Sequence, residues 1–278
     1  MRSFTSFRAL SLAAVLAASA SAQTFFVSRD ANLLRTDLSN FNTFTLSDNI
    51  HAMDFDDNGV LWATSRDDNE LGKWELYTVD DPYGTPTLNL VANNIEGVTP
   101  SIAWIGGTLY GLQAFDSGSG FFSRLVTINT ATGSLTPIGA TGDTSISGGG
   151  VEYDPGTGEM YALNHNPGSL NTLDWTLSSN ADPAATLVGA FSGETNIRSS
   201  GLAHLDAIGQ LYATITDRST LTPALYAVDK SDGALSQMID LSPYLGVGAG
   251  GSGIAVIPEP SSLLLVLGGL GALIGRRR

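Results

Sequence analysis

The 278-residue sequence has no cysteine and few charges, with Asp, Glu, Lys and Arg making up 14% of it. Without cysteine there is neither a disulfide scaffold nor a thiolate metal site. Basic residues are scarce, 13 against 27 acidic, for a formal net charge of −14. A binder of phosphate backbones needs clustered Lys and Arg, so nucleic acid is excluded as a partner. The three histidines, His51, His165 and His204, lie far apart, without the spacing of a zinc site. No long segment has a helical period, and no nucleophile-elbow, Walker or dinucleotide fingerprint stands in a usable context; Gly148-Gly149-Gly150 precedes a strand, not a helix. What is present is 42% hydrophobic residues and 32 glycines, enough apolar matter for a packed core and many turns.

Both ends read as addresses. Arg2 and Arg8 precede an apolar run from Ala9 to Ala18 and the small residues Ala20, Ser21 and Ala22, the three-part pattern of a secretory signal peptide over residues 1–22, with cleavage after Ala22. At the other end, Pro258, Glu259 and Pro260 lead into the apolar run Leu263 to Ile274 and then Arg276, Arg277 and Arg278. A helix over that run would cover about 18 Å, short of the roughly 30 Å of a hydrocarbon core, and the arginines would hold its end on the cytoplasmic side. That is a temporary anchor. Removing both segments takes away five of the 13 basic residues and leaves residues 23–257 strongly anionic.

The order of Pro258-Glu259-Pro260, short apolar transmembrane helix and arginine cluster resembles the PEP-CTERM sorting signal of Gram-negative bacteria. The resemblance covers residues 258–278. It implies an exosortase substrate, handled by the secretion machinery, held transiently in the inner membrane and then delivered to the cell surface or the extracellular polysaccharide matrix of a biofilm. Exopolysaccharide or surface proteins are the partners it implies.

Between the two addresses the sequence repeats. The motif Gly-x-(Leu or Met)-aromatic-small occurs at Gly59 to Ala63, Gly107 to Gly111, Gly158 to Ala162 and Gly209 to Ala213, so that Trp62, Tyr110, Tyr161 and Tyr212 recur about every 50 residues. Each is preceded by one strand pattern, around Met53, Ile102, Val151 and Leu202, and followed by two more. The third strands are expected at Leu76–Asp80, Leu125–Asn129, Asp174–Ser178 and Leu225–Asp229, and the fourth at 85–91, 134–139, 184–191 and 234–241. Residues 24–46 supply the last three strands of a further unit, and Gly253 to Val256 match its missing first strand. The expectation is an all-β, five-bladed β-propeller with one blade split between the chain ends, followed by a short C-terminal apolar helix.

Few residues offer chemistry. On the first strand of each blade, nearest the axis, the position between two apolar residues is Asp54, Ala103, Glu152, Ala203 and Ala255 in turn. A carboxylate pair in a channel is the equipment of a glycosidase, and some five-bladed propellers are glycosidases, but a further carboxylate would then be expected where this sequence has Ala103. The other reading is that Asp54 and Glu152 cap turns or bind channel water. Asp54, Asp56, Asn58 and Gly59 have the spacing of a calcium loop, with Ser65 where its closing acid belongs; the same residues are also what a hairpin turn demands, so calcium is the alternative to a cofactor-free turn. His204 stands where other blades have Phe55, Trp104 and Tyr153, and reads as a packing residue. The sequence therefore points to a non-enzymatic binding or structural module, with a polysaccharide-active glycosidase or lyase using Asp54 and Glu152 as the competing class.

Overall fold

In a computed structural model the described residues are 23–66, 73–96, 98–116, 121–176, 181–191, 197–248 and 252–257. They form five four-stranded antiparallel sheets. The first blade holds β1 (Thr24–Arg29), β2 (Asn32–Thr36) and β3 (Phe41–Thr45), and the second β4 (Ile50–Phe55), β5 (Leu61–Arg66), β6 (Lys73–Asp80) and β7 (Thr87–Glu96). The third runs β8 (Val98–Ile105), β9 (Thr108–Asp116), β10 (Phe121–Ile128) and β11 (Leu135–Pro137). The fourth runs β12 (Val151–Asp154), β13 (Glu159–His165), β14 (Gly168–Leu173) and β15 (Ala185–Ala190). The fifth runs β16 (Ile197–Leu205), β17 (Gln210–Asp217), β18 (Pro223–Val228) and β19 (Leu235–Asp240). A single helical turn, α1 (Ser242–Leu245), leads to β20 (Ser252–Ile257), which pairs with β1 and completes the first blade in the order β20-β1-β2-β3.

The split blade closes the ring in register, Ile257 opposite Thr24 and Ile254 opposite Val27. Strands β20, β4, β8, β12 and β16 touch their neighbours in turn and line the axis. The apolar side chains gather into five layers, one at each interface between blades; the layer between the fifth and first blades contains Phe25, Leu34, Tyr212, Leu225, Leu245 and Ile254. The inner strands of each blade are buried against the neighbouring blades, while outermost strands such as β3 and β19 stay largely exposed and polar. Of the recurring aromatics, Tyr161 and Tyr212 are buried and Trp62 and Tyr110 half-buried, all at these interfaces or their rims.

One expected strand is displaced. The third strand of the fourth blade is Gly168–Leu173, not Asp174–Ser178, because His165 turns through Asn166-Pro167 straight back to Gly168, whereas in the fifth blade Asp217 reaches Pro223 through a longer turn. Trp175, freed from the strand, packs edge-on against Tyr110 and Tyr153 at centroid distances of 5.9 and 5.3 Å. Residues 1–22, expected as a signal peptide, the Pro258-Glu259-Pro260 motif and the apolar C-terminal run lie outside the described residues, among which no helix is long and apolar enough to cross a membrane.

The two ends of the ring differ. The first-to-second and third-to-fourth strand turns lie at one end, where residues 23 and 257 also leave the ring. At the other end serines bridge blades: Ser101 Oγ accepts from Val151 N, Ser200 Oγ accepts from Gly150 N at 3.3 Å, and Ser28 Oγ donates to the Ile50 carbonyl at 3.1 Å. Arg29, fully buried there, donates to the carbonyls of Gly246, Leu221 and Gly248 and so holds the crossover after α1 to the fifth blade.

Candidate functional site at the hairpin end of the channel

A cavity of about 430 Å³ opens at the turn end of the axis. Asp54 and Glu152 stand in it on β4 and β12, with Trp104 and His204 from the innermost strands between and beyond them. Asp54 keeps part of its surface in the cavity, while Glu152 is buried.

The two carboxyls are held in the same manner. Asp54 accepts Phe55 N at 2.8 Å on one oxygen and Trp104 N, from the next blade, at 2.5 Å on the other. Glu152 accepts Tyr153 N at 2.8 Å and the backbone N–H of His204, again from the next blade. The repeat places the same strand position of adjacent blades about 50 residues apart, so a carboxyl at this position reaches the neighbouring backbone. Burial is the largest influence on both; the Asp54 charge and Asp206 add to it at Glu152, and Asp206 and Asp56 add to it at Asp54, against the N–H bonds. Asp54 is pushed up to about 7 from its ordinary 3.8, and Glu152 well above the usual carboxylate range.

His204 is no mere packing residue. Its ring occupies the aromatic position, as expected, but its Nδ1 lies 2.8 Å from Asp206 and its Nε2 3.4 Å from Asp154. Lys230 Nζ contacts the other Asp154 oxygen at 2.5 Å. Burial raises Asp154, yet the Lys230 ammonium and the N–H of Gly156 outweigh it and leave it below the ordinary value. Asp154, Asp206 and Lys230 escaped sequence reading because they sit in turns, where Asp and Lys are unremarkable; the one signal was a histidine in an aromatic column.

The rim is aromatic and acidic. The indoles of Trp62 and Trp104 stack at 6.0 Å and 11°, donating to Asp56 at 3.3 Å and Asp57 at 3.2 Å. The calcium-loop residues behave as a turn: Asp56 accepts Asn58 N at 2.9 Å and Val60 N at 2.8 Å on one oxygen, while Asp54 points its oxygens at backbone N–H groups. Among the described residues, no three His, Asp or Glu side chains group closely enough to hold a metal ion.

No family model and no curated protein matches this chain. Solved structures do: a chain of the nidogen/laminin complex is 12% identical with a TM-score of 0.54, the match covering 84% of this chain and 98% of that one. The periplasmic gluconolactonase of Pseudomonas aeruginosa is 13% identical at a TM-score of 0.43, over 78% of this chain and 67% of its own. The β-xylosidase RS223 is 11% identical at 0.47, over 77% and 78%. At such identities the likeness to the first shows the propeller fold alone, and the other two carry no argument about chemistry.

Proposed function

We propose that residues 23–257 are an exported, non-enzymatic binding module, sorted by an exosortase to the cell surface or matrix, that engages a glycan at the channel mouth. The export half of this reading rests on the signal-peptide pattern and on Pro258, Glu259, Pro260 and the terminal arginines. The binding half rests on the mouth itself: a concave cavity with hydrogen-bonding carboxyls and stacked indoles is the equipment that holds polyhydroxylated ligands. The observation that carries the non-enzymatic reading is the position of Asp54, each of whose oxygens accepts a backbone N–H, so that neither is presented bare as a nucleophile toward a sugar. In this reading the tether leaves from the mouth end, since Ile257 follows the mouth-lining Val256.

A glycosidase or lyase is the second reading, favoured by one observation: the Asp54 and Glu152 carboxyls are both raised, as a general acid must be. Residues 23–257 close the ring by themselves, so the purified domain is incubated with bacterial and algal polysaccharides while retention on the polymer and release of reducing ends are recorded. Retention without release is expected. Release that disappears in Glu152→Gln establishes the enzyme instead.

A further inference from the structure

The two carboxyls at the cavity floor have backbone N–H partners but no cationic partner among the described residues. His204, the one basic side chain lining the cavity among the described residues, lies between Asp154 and Asp206, and Lys230 is taken up by Asp154. Around the floor stand further acids, Asp56 and Asp57 on the β4–β5 turn and Asp206 on the β16–β17 turn. Burial and the surrounding carboxylates make the floor retain protons.

A buried carboxyl pair that holds a proton for want of a positive charge is a receptor for one. A metal does not fit, because no three ligating groups converge among the described residues. A primary ammonium needs no such cage: it brings one charge and three donors, which match oxygens spread over two blades. Beside the floor, Trp104, Phe55 and Tyr153 offer apolar faces for the body of an organic molecule. At about 430 Å³, the space falls in the range of small-ligand sites, about 300–1,000 Å³.

We infer that the channel mouth takes a ligand carrying a protonated primary amine, its ammonium seated between Asp54 and Glu152 and its body against Trp104. The inference rests on reading the mouth as a binding site and adds the chemistry of what enters it. Two sources share that chemistry: an amino sugar of a de-N-acetylated polysaccharide, and a polyamine.

Calorimetry on residues 23–257 at neutral pH separates them. The probes are a glucosamine tetramer, the N-acetylglucosamine tetramer, spermidine and calcium chloride, each in two buffers of different ionisation enthalpy. Tighter binding of the glucosamine tetramer than of its acetylated twin, by tenfold or more, is expected, with net proton release as the ammonium replaces the floor's proton. Asp54→Asn and Glu152→Gln weaken this binding at least tenfold. If either fails to fold, Asp206→Asn at the exposed rim weakens it a few-fold and the proton release from the unmodified domain still decides. Equal affinity for the two tetramers overturns the amine inference and leaves the glycan reading standing. Binding of spermidine and of neither tetramer upholds the amine and removes the glycan. Calcium binding tighter than either amine, or amine binding without proton release, overturns the inference.

Discussion

Replacing Asp54 by Asn removes part of the pH dependence of stability. In the folded protein the Asp54 carboxyl has been pushed up to about 7 from 3.8, so the folded state holds a proton that the unfolded chain gives up. The contribution is fully present below the unfolded value and disappears as pH rises through about 7. Between pH 8 and pH 5 a sealed group with this shift gains about 3 kcal/mol of stability, and the solvent that reaches Asp54 in the cavity reduces this to about 2 kcal/mol. Asn cannot collect it. Any loss from a poorer bond to Trp104 N is independent of pH and cancels in the difference between the two pH values, as does the opposite contribution of His165. Urea unfolding of residues 23–257 and of Asp54→Asn at pH 5 and pH 8 is therefore expected to show the unmodified domain gaining about 2 kcal/mol relative to the variant on acidification, or roughly 4–8 °C in Tm. A difference that stays the same within about 0.5 kcal/mol would mean that Asp54 is ionised and solvated, and the account of the mouth would be wrong.

Three further outcomes test the ring. His165, pressed down to about 4 by burial and by Arg218, accepts from or donates to Ser200 Oγ at 2.9 Å; its contribution is intact above pH 6.5 and falls away toward pH 4, by about 2 kcal/mol at pH 5, and His165→Asn should flatten that acid limb in pH-dependent urea unfolding. Arg29→Met leaves the partly buried carbonyls of Gly246, Leu221 and Gly248 without their donor and is expected to cost about 2–3 kcal/mol by the same assay. Gly150→Ala would put a Cβ 2.3 Å from Leu202 N and 2.5 Å from Gly201 C in the backbone of the next blade, so a loss of about 3 kcal/mol or failure to express soluble protein is expected.

The fold was legible because the propeller writes itself into the sequence as a period. Trp62, Tyr110, Tyr161 and Tyr212 mark the second strands, and the match of Gly253 to Val256 with a missing first strand disclosed the closure that the Ile254–Val27 pairing realises. The period failed where a turn changed length: the tight turn at Asn166-Pro167 moved β14 toward the N-terminus, and a register borrowed from the other blades had no means of seeing it. Asp54 and Glu152 were legible as a pair because they interrupt a column of alanines. What they touch was not, since the bonds to Trp104 N and His204 N depend on the distance between blades, a property of the ring rather than of any segment. Lys230 and Asp154, 76 positions apart, meet for the same reason.

That column of alanines also bears on why the carboxyls are there. Ala103, Ala203 and Ala255 occupy the same strand position in the other three blades and are all but fully buried, so the ring closes at this position without a polar group. The bonds that Asp54 and Glu152 make across blades are therefore not a requirement of the fold, whereas placing two acids together in a low-dielectric site costs stability wherever they ionise. A position where the fold accepts alanine but carries a destabilising acid is where function outweighs stability. The double variant Asp54→Ala, Glu152→Ala separates the two roles: at pH 8 it is expected to fold as the parent does, within about 2 kcal/mol and with a flatter pH dependence, while losing retention of amine-bearing ligands. If it instead fails to fold, or loses much more than that at pH 8 with its Trp104 and His204 N–H groups stranded, the carboxyls are clamps between blades and the mouth has no need of a ligand to explain them.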